Sequence, residues 1–185
     1  MTPVLGIIAS SVLGAVTATS FESIATVTVG SGGAANVEFT SIPSTYTHLQ
    51  IRGIQRKTAD ATSNTITFNS DTASNYSLHF LSGNGSSASA YSEANTNYGW
   101  IYTPSSANLA DTFGAFVIDI LDYANTNKYK TARILNGFDL NGSGQVLLHS
   151  FNWRNTNAIT SIKIVPGAGN HAQYSHFALY GVKSA

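Results

Sequence analysis

Apolar and polar residues alternate with a period of two along most of this chain. The stretch from Asn36 to Arg56 shows it best. Val37 and Phe39 alternate with polar neighbours, a Pro-containing segment from Ser41 to Thr47 follows, and Leu49 and Ile51 resume the alternation. A period of two places successive side chains on opposite faces of a half-buried strand. Pro43 fixes its own φ and pushes Ile42 into an extended conformation, so the chain turns here without a helix. The same pattern predicts strands over 24–29, 37–39, 48–55, 64–68, 76–80, 113–121, 128–138, 145–153, 159–165 and 176–182. The run 113–121 is the most hydrophobic internal segment and reads as a central strand. Gly30-Ser31-Gly32-Gly33 is a strong turn signal and makes 37–39 the expected hairpin partner of the first strand. The small-residue segment 82–89 and the following 91–98 read as the most irregular part of the chain. No segment carries a helical hydrophobic period. About ten short strands with turn signals between them predict an all-β fold, an antiparallel β-sandwich of jelly-roll type.

Residues 1–20 depart from this pattern. They contain no charge and are rich in aliphatic residues, including Val4, Leu5, Ile7, Ile8, Val12, Leu13 and Val16. They read as an extended N-terminal arm whose apolar side chains are covered by a partner, ahead of a sandwich domain over 21–185. A secretory signal peptide fits less well, because no positive n-region precedes the apolar run; the first Lys or Arg is Arg52. A membrane span is interrupted by Gly, Ser and Thr.

Composition narrows the function classes. Nine Lys and Arg balance nine Asp and Glu, and charged residues make up only 10% of the 185. A neutral chain argues against nucleic-acid binding, which needs a basic face, and against a polybasic membrane surface. Ser, Thr, Asn and Gly together supply 75 of the 185 residues, so the polarity is mostly uncharged. Weak self-repulsion suits a subunit that works inside an assembly. The chain has no cysteine, which excludes disulfides and thiolate metal sites.

Candidate chemistry is sparse. Asp139-Leu140-Asn141-Gly142-Ser143-Gly144 resembles the start of a calcium loop, but the twelfth position is Ser150 rather than an acid, and Asn-Gly between strands marks a hairpin. The five histidines, His48, His79, His149, His171 and His176, form no recognised zinc motif. Asp119 and Asp122 are a close carboxylate pair, but in a strand-to-turn setting positions i and i+3 point to opposite faces, so they do not face each other across a sugar. No nucleophile elbow, P-loop or dinucleotide fingerprint is present. No catalytic residue, cofactor or metal is therefore expected. Tyr91, Tyr98, Trp100 and Tyr102 bring aromatic rings into the irregular region. They read either as a cap on the sandwich edge or as a contact surface.

Met1-Thr2-Pro3-Val4-Leu5-Gly6-Ile7-Ile8-Ala9-Ser10-Ser11, Phe21 to Val27, Ile42 to Arg52 and the closing Ile162-Lys163-Ile164 and Phe177-Ala178-Leu179-Tyr180-Gly181-Val182 resemble small virion proteins of tailed bacteriophages. The likeness spans both ends and leaves 58–158 mostly unmatched. It implies a non-enzymatic structural subunit on the surface of a phage particle: a capsid decoration or head-fibre protein that forms a homotrimer and docks on the major capsid protein or tail proteins. A tail-fibre or baseplate protein that binds a host surface glycan is the alternative within that group. A secreted carbohydrate-binding module or hydrolase is the alternative from another class.

Overall fold

The computed structural model describes residues 20–61 and 63–183. The chain forms β1 (Phe21–Thr28), β2 (Val37–Phe39), β3 (His48–Gln55), β4 (Ser63–Phe68), β5 (Tyr76–Gly83), β6 (Ala88–Thr96), β7 (Gly99–Tyr102), β8 (Gly114–Ile120), β9 (Lys130–Asp139), β10 (Gly144–Trp153), β11 (Ile162–Pro166) and β12 (His176–Val182). They build two antiparallel sheets. The large one has the order β1-β12-β3-β8-β9-β10-β5-β6, and the small one β2-β11-β4-β7. The fold is an all-β sandwich. Three steps stay in the large sheet, β5–β6, β8–β9 and β9–β10, and every other step along the chain crosses to the other sheet.

The alternation seen in the sequence is the alternation of burial. Leu49 and Ile51 on β3, Ile118 and Ile120 on β8 and Ile134 on β9 face inward, against Phe39, Ile66, Phe68, Ile162 and Ile164 of the small sheet. The run containing β8 is central, flanked by β3 and β9. The Pro43 turn is pinned from below by the buried Tyr123, whose hydroxyl donates to the Pro43 carbonyl. Tyr46, three residues on, lays its ring against β12 at Gly181, where an added Cβ would lie 2.3 Å from the ring. Gly181→Ala therefore forces the ring off the strand, with an expected loss of about 1–3 kcal/mol, read as a lowered midpoint in urea unfolding.

Two sequence expectations are corrected. The strand 37–39 does not pair with β1; it pairs with β11 in the other sheet. The glycine-rich turn, closed by Gly33 N–H donating to the Gly30 carbonyl, carries the chain between sheets rather than back along β1. The segment 82–98 is mostly regular: β6 pairs with β5 from Ala88 to Thr96 with one bulge at Asn95, and β7 follows. The turn between β5 and β6 is closed by Asn84, whose side-chain carbonyl accepts the N–H groups of Ser86 and Ser87. β6 is an edge strand, so its Ser, Ala and Asn side chains meet water on most positions and lack a hydrophobic period. The Asp139–Gly144 segment is the expected hairpin turn: Asn141 and Gly142 have φ of 61° and 104°, and Leu140 N–H donates to the Ser143 carbonyl at 2.7 Å. The arm residues Val4, Leu5, Ile7, Ile8, Val12, Leu13 and Val16 lie outside the described residues.

Candidate functional site

The four aromatic residues singled out in the sequence come together. Trp100 is the centre. Tyr91 on β6 stacks on it at 5.7 Å and 16°, Tyr98 from the preceding turn lies at 6.4 Å and 28°, and Tyr102 meets it edge-on at 6.4 Å. On β7, Ile101 is buried in the core, so Trp100 and Tyr102 occupy the opposite face of this edge strand. The β10-β5-β6 side of the large sheet supplies the cover. Phe80 reaches Tyr91, Tyr102 and His149 with ring centroids 5.3, 5.8 and 5.1 Å away. Phe80 and Tyr91 are cross-strand partners and share a face.

The rings are turned toward one another, and only Tyr91 is exposed, with Tyr98, Trp100 and Tyr102 half-buried. The cluster closes the edge of the sandwich and leaves a narrow aromatic rim. The Tyr91 hydroxyl donates to Glu93 at 3.2 Å, within the same strand. Burial raises the pKa of Tyr102 above the ordinary tyrosine value.

His149 was not foreseen as part of this cluster. It is buried, and its Nε2 has no hydrogen-bond partner among the described residues. Burial pushes its pKa down to about 4, so the ring is neutral at pH 7. The signal was available: on β10, Leu147, His149 and Phe151 fall on the inward face of an alternating strand.

A second polar group is buried between the sheets. Gln55 and then Lys57 continue the inward face of β3 past its end. The Lys57 ammonium donates to the Thr103 carbonyl at 3.1 Å, and burial lowers its pKa to about 8 against the opposing effect of Asp60. His171 bridges to Lys57 through the backbone and bonds the Ile164 carbonyl through its ring at 3.3 Å. Beside them Arg56 gathers the carbonyls of Asn108, Leu109 and Thr112 at 2.8–3.1 Å, and Ser105 donates to Asp60 at 2.8 Å. These groups hold the 104–112 loop onto the end of β3. With Lys57 almost fully buried, its amine is a fixed internal donor rather than a group open to a substrate.

The remaining candidates are kept apart. Asp119 accepts from Gln50 at 2.7 Å and faces Arg133, whereas Asp122 accepts from Lys128 and faces His48. His176 bonds Thr28 at the β1–β12 seam. Among the described residues, no group of three or more His, Asp or Glu side chains is placed to hold a metal. Comparison with known proteins gives no matching family model, no matching curated protein and no matching solved structure.

Proposed function

We propose that this chain is a non-enzymatic structural subunit on the outer surface of a bacteriophage particle, a capsid decoration or head-fibre protein that self-associates, as a homotrimer, and attaches through residues 1–20. The observation that carries this reading is the strand order. With β5, β6, β9 and β10 set aside, the sheets reduce to β1-β12-β3-β8 facing β2-β11-β4-β7, and the chain changes sheet at every step except β4 to β7. We read that winding as a jelly roll, an architecture used by viral capsid and lectin domains. The resemblance of both chain ends to phage virion proteins and the neutral, charge-poor composition support the capsid side of that pair.

The aromatic rim around Tyr91, Tyr98 and Trp100 favours the second reading, a tail-fibre or baseplate protein that binds a host glycan, because the exposed Tyr91 beside half-buried rings offers an adaptable contact surface. The test of the first reading is deletion of residues 2–18, followed by assembly in the presence of particles. The expected product melts cooperatively and no longer joins the particle. Normal incorporation removes the arm as anchor; failure to fold places the arm in the sandwich core. A glycan array on the same protein separates the second reading, and turnover of any glycan overturns the non-enzymatic assignment.

A further inference from the structure

The outward face of the large sheet carries a row of aliphatic side chains set by strand register. Val117 on β8 is opposite Leu135 on β9, Leu135 is opposite Leu148 on β10, and Leu148 is opposite Leu81 on β5. Ala90 on β6 continues the row beside Leu81. In the adjoining row, Ile54 and Val146 flank Ala115 and Gly137. Leu81, Leu135, Val146, Leu148 and Ile54 are each between 44% and 61% exposed. Between β10, β5 and β6 the face dips into a trough of about 460 Å³, with Leu148, Leu81 and Ala90 along it and Arg133, Ser150 and His79 on its polar bank. Scattered exposed leucines need no explanation, but a contiguous aliphatic row does; single subunits in water rarely expose apolar patches larger than a few hundred Å².

We propose that this face is covered by a neighbouring copy of the chain, each face meeting another surface of the next subunit around the three-fold. The proposal rests on the self-association in the reading above and names the surface that performs it. Charge favours a copy over a charged partner. The polar row beside the aliphatic one holds one acid and one base, Asp119 and Arg133, 3.6 Å apart, and the whole chain is neutral. Opposite Val117, Arg52 adds one base at the β3 end, its guanidinium over the Phe21 and Tyr180 rings, so the face carries few charges and offers a neighbouring copy little like-charge repulsion. Size agrees as well. The whole outward face, eight strands of 7–10 residues about 4.8 Å apart, spans roughly 1,000 Å², enough to hold the ~800 Å² per partner of a standard interface, with the aliphatic row on its β8-β9-β10-β5-β6 side. Ala90, Ala115 and Gly137 lie among the larger side chains, so the neighbouring subunit can approach closely at those points.

The experiment uses the full chain. Sedimentation over a wide concentration range is run on the unaltered protein and on the double variant Leu81→Asp, Leu148→Asp. Both positions are exposed, so the variant is expected to keep its melting temperature within a few degrees. Because the chain has no cysteine, Leu148→Cys gives one thiol whose maleimide labelling rate reports cover of the face. The proposal predicts an oligomer for the unaltered protein, at least 100-fold weaker association for the aspartate variant, and labelling slowed at least tenfold in the assembled state. An aspartate variant that assembles normally, with a freely labelled Leu148→Cys thiol, overturns the proposal and leaves self-association through another surface. A monomer with a freely labelled thiol overturns both the proposal and the self-association, while particle attachment is judged separately by the 2–18 deletion. A monomer whose thiol is protected until residues 2–18 are deleted overturns the proposal in favour of the chain's own N-terminal segment as the cover.

Discussion

Acidification from pH 6.5 to about 4 is expected to remove about 3 kcal/mol of stability through His149 alone. The folded-state pKa is lowered to about 4 by burial, whereas the unfolded ring titrates near 6.5. Between those values the unfolded chain takes up a proton that the folded chain refuses, so stability is full above pH 6.5 and falls as the pH drops. A shift of this size corresponds to about 3 kcal/mol. His171 adds to the loss in the same direction, its pKa lowered first by burial and also by the nearby Lys57, with the bond to the Ile164 carbonyl opposing. Glu22 and Asp122 have pKa values lowered chiefly by hydrogen bonds from Lys183 and Lys128, so their contribution disappears only below the ordinary carboxylate range. Urea unfolding at pH 7, 5.5 and 4.5 isolates the histidines. The decisive variant is His149→Phe, which keeps an aromatic ring against Phe80 and Tyr102 and removes the unpartnered nitrogen. It should flatten most of the slope. An unchanged slope in that variant would show that the lost stability comes from elsewhere.

The largest single-site loss is expected at Trp153. Its ring stacks on Tyr76 at 6.4 Å and meets Phe68 edge-on at 5.8 Å, tying β10 and β5 of the large sheet to β4 of the small one. Its indole Nε1 donates to Asp71 at 2.8 Å. Asp71 also accepts the Ala73 N–H and the Asn75 side chain and so organises the β4–β5 turn. Burial pushes the Asp71 carboxyl up, but the hydrogen bonds from Asn75, Trp153 and the Ala73 backbone outweigh it and leave the pKa below its ordinary value. Trp153→Ala removes both the packing and the bond, at about 3–5 kcal/mol for the cavity and about 1.5–3 kcal/mol for a lost hydrogen bond to a charged group, although Asp71 keeps its Ala73 and Asn75 donors. Relaxation of the site offsets part of that sum. Trp153→Phe keeps most of the packing and should lose roughly the hydrogen-bond share alone. Chemical denaturation of the two variants side by side checks the order; equal losses would mean that the ring's packing contributes nothing beyond the bond.

Much of the sandwich was legible because one face of most strands is buried. Leu49, Ile51, Ile118 and Ile134 announce their strands by alternation, and Asn141-Gly142 announces its hairpin by the need for positive φ. Pairing was not legible. Val37 and Phe39 alternate in the same way whether their partner is β1 or β11, because period two records the buried face and not the neighbour. β6 was missed for a related reason. Both its faces are largely exposed, so nothing selects apolar residues at every second position. The aromatic cluster was half-legible. Tyr91, Tyr98, Trp100 and Tyr102 stood out as a local concentration of rings, whereas Phe80 and His149 join them only through the pairing of β5 with β6 and β10. The outward aliphatic row was hidden entirely, since Val117, Leu135, Leu148 and Leu81 come from four strands that only the register aligns.

The most direct test of the functional account is imaging of intact phage particles. Particles assembled with this chain are compared with particles from which it has been deleted, by cryo-electron microscopy of shell and tail. The account predicts additional density on the outer surface that fits the two-sheet sandwich and vanishes on deletion, with residues near Ser20 facing the particle. Identical particles with and without the chain, with no such density on shell or tail, would contradict it.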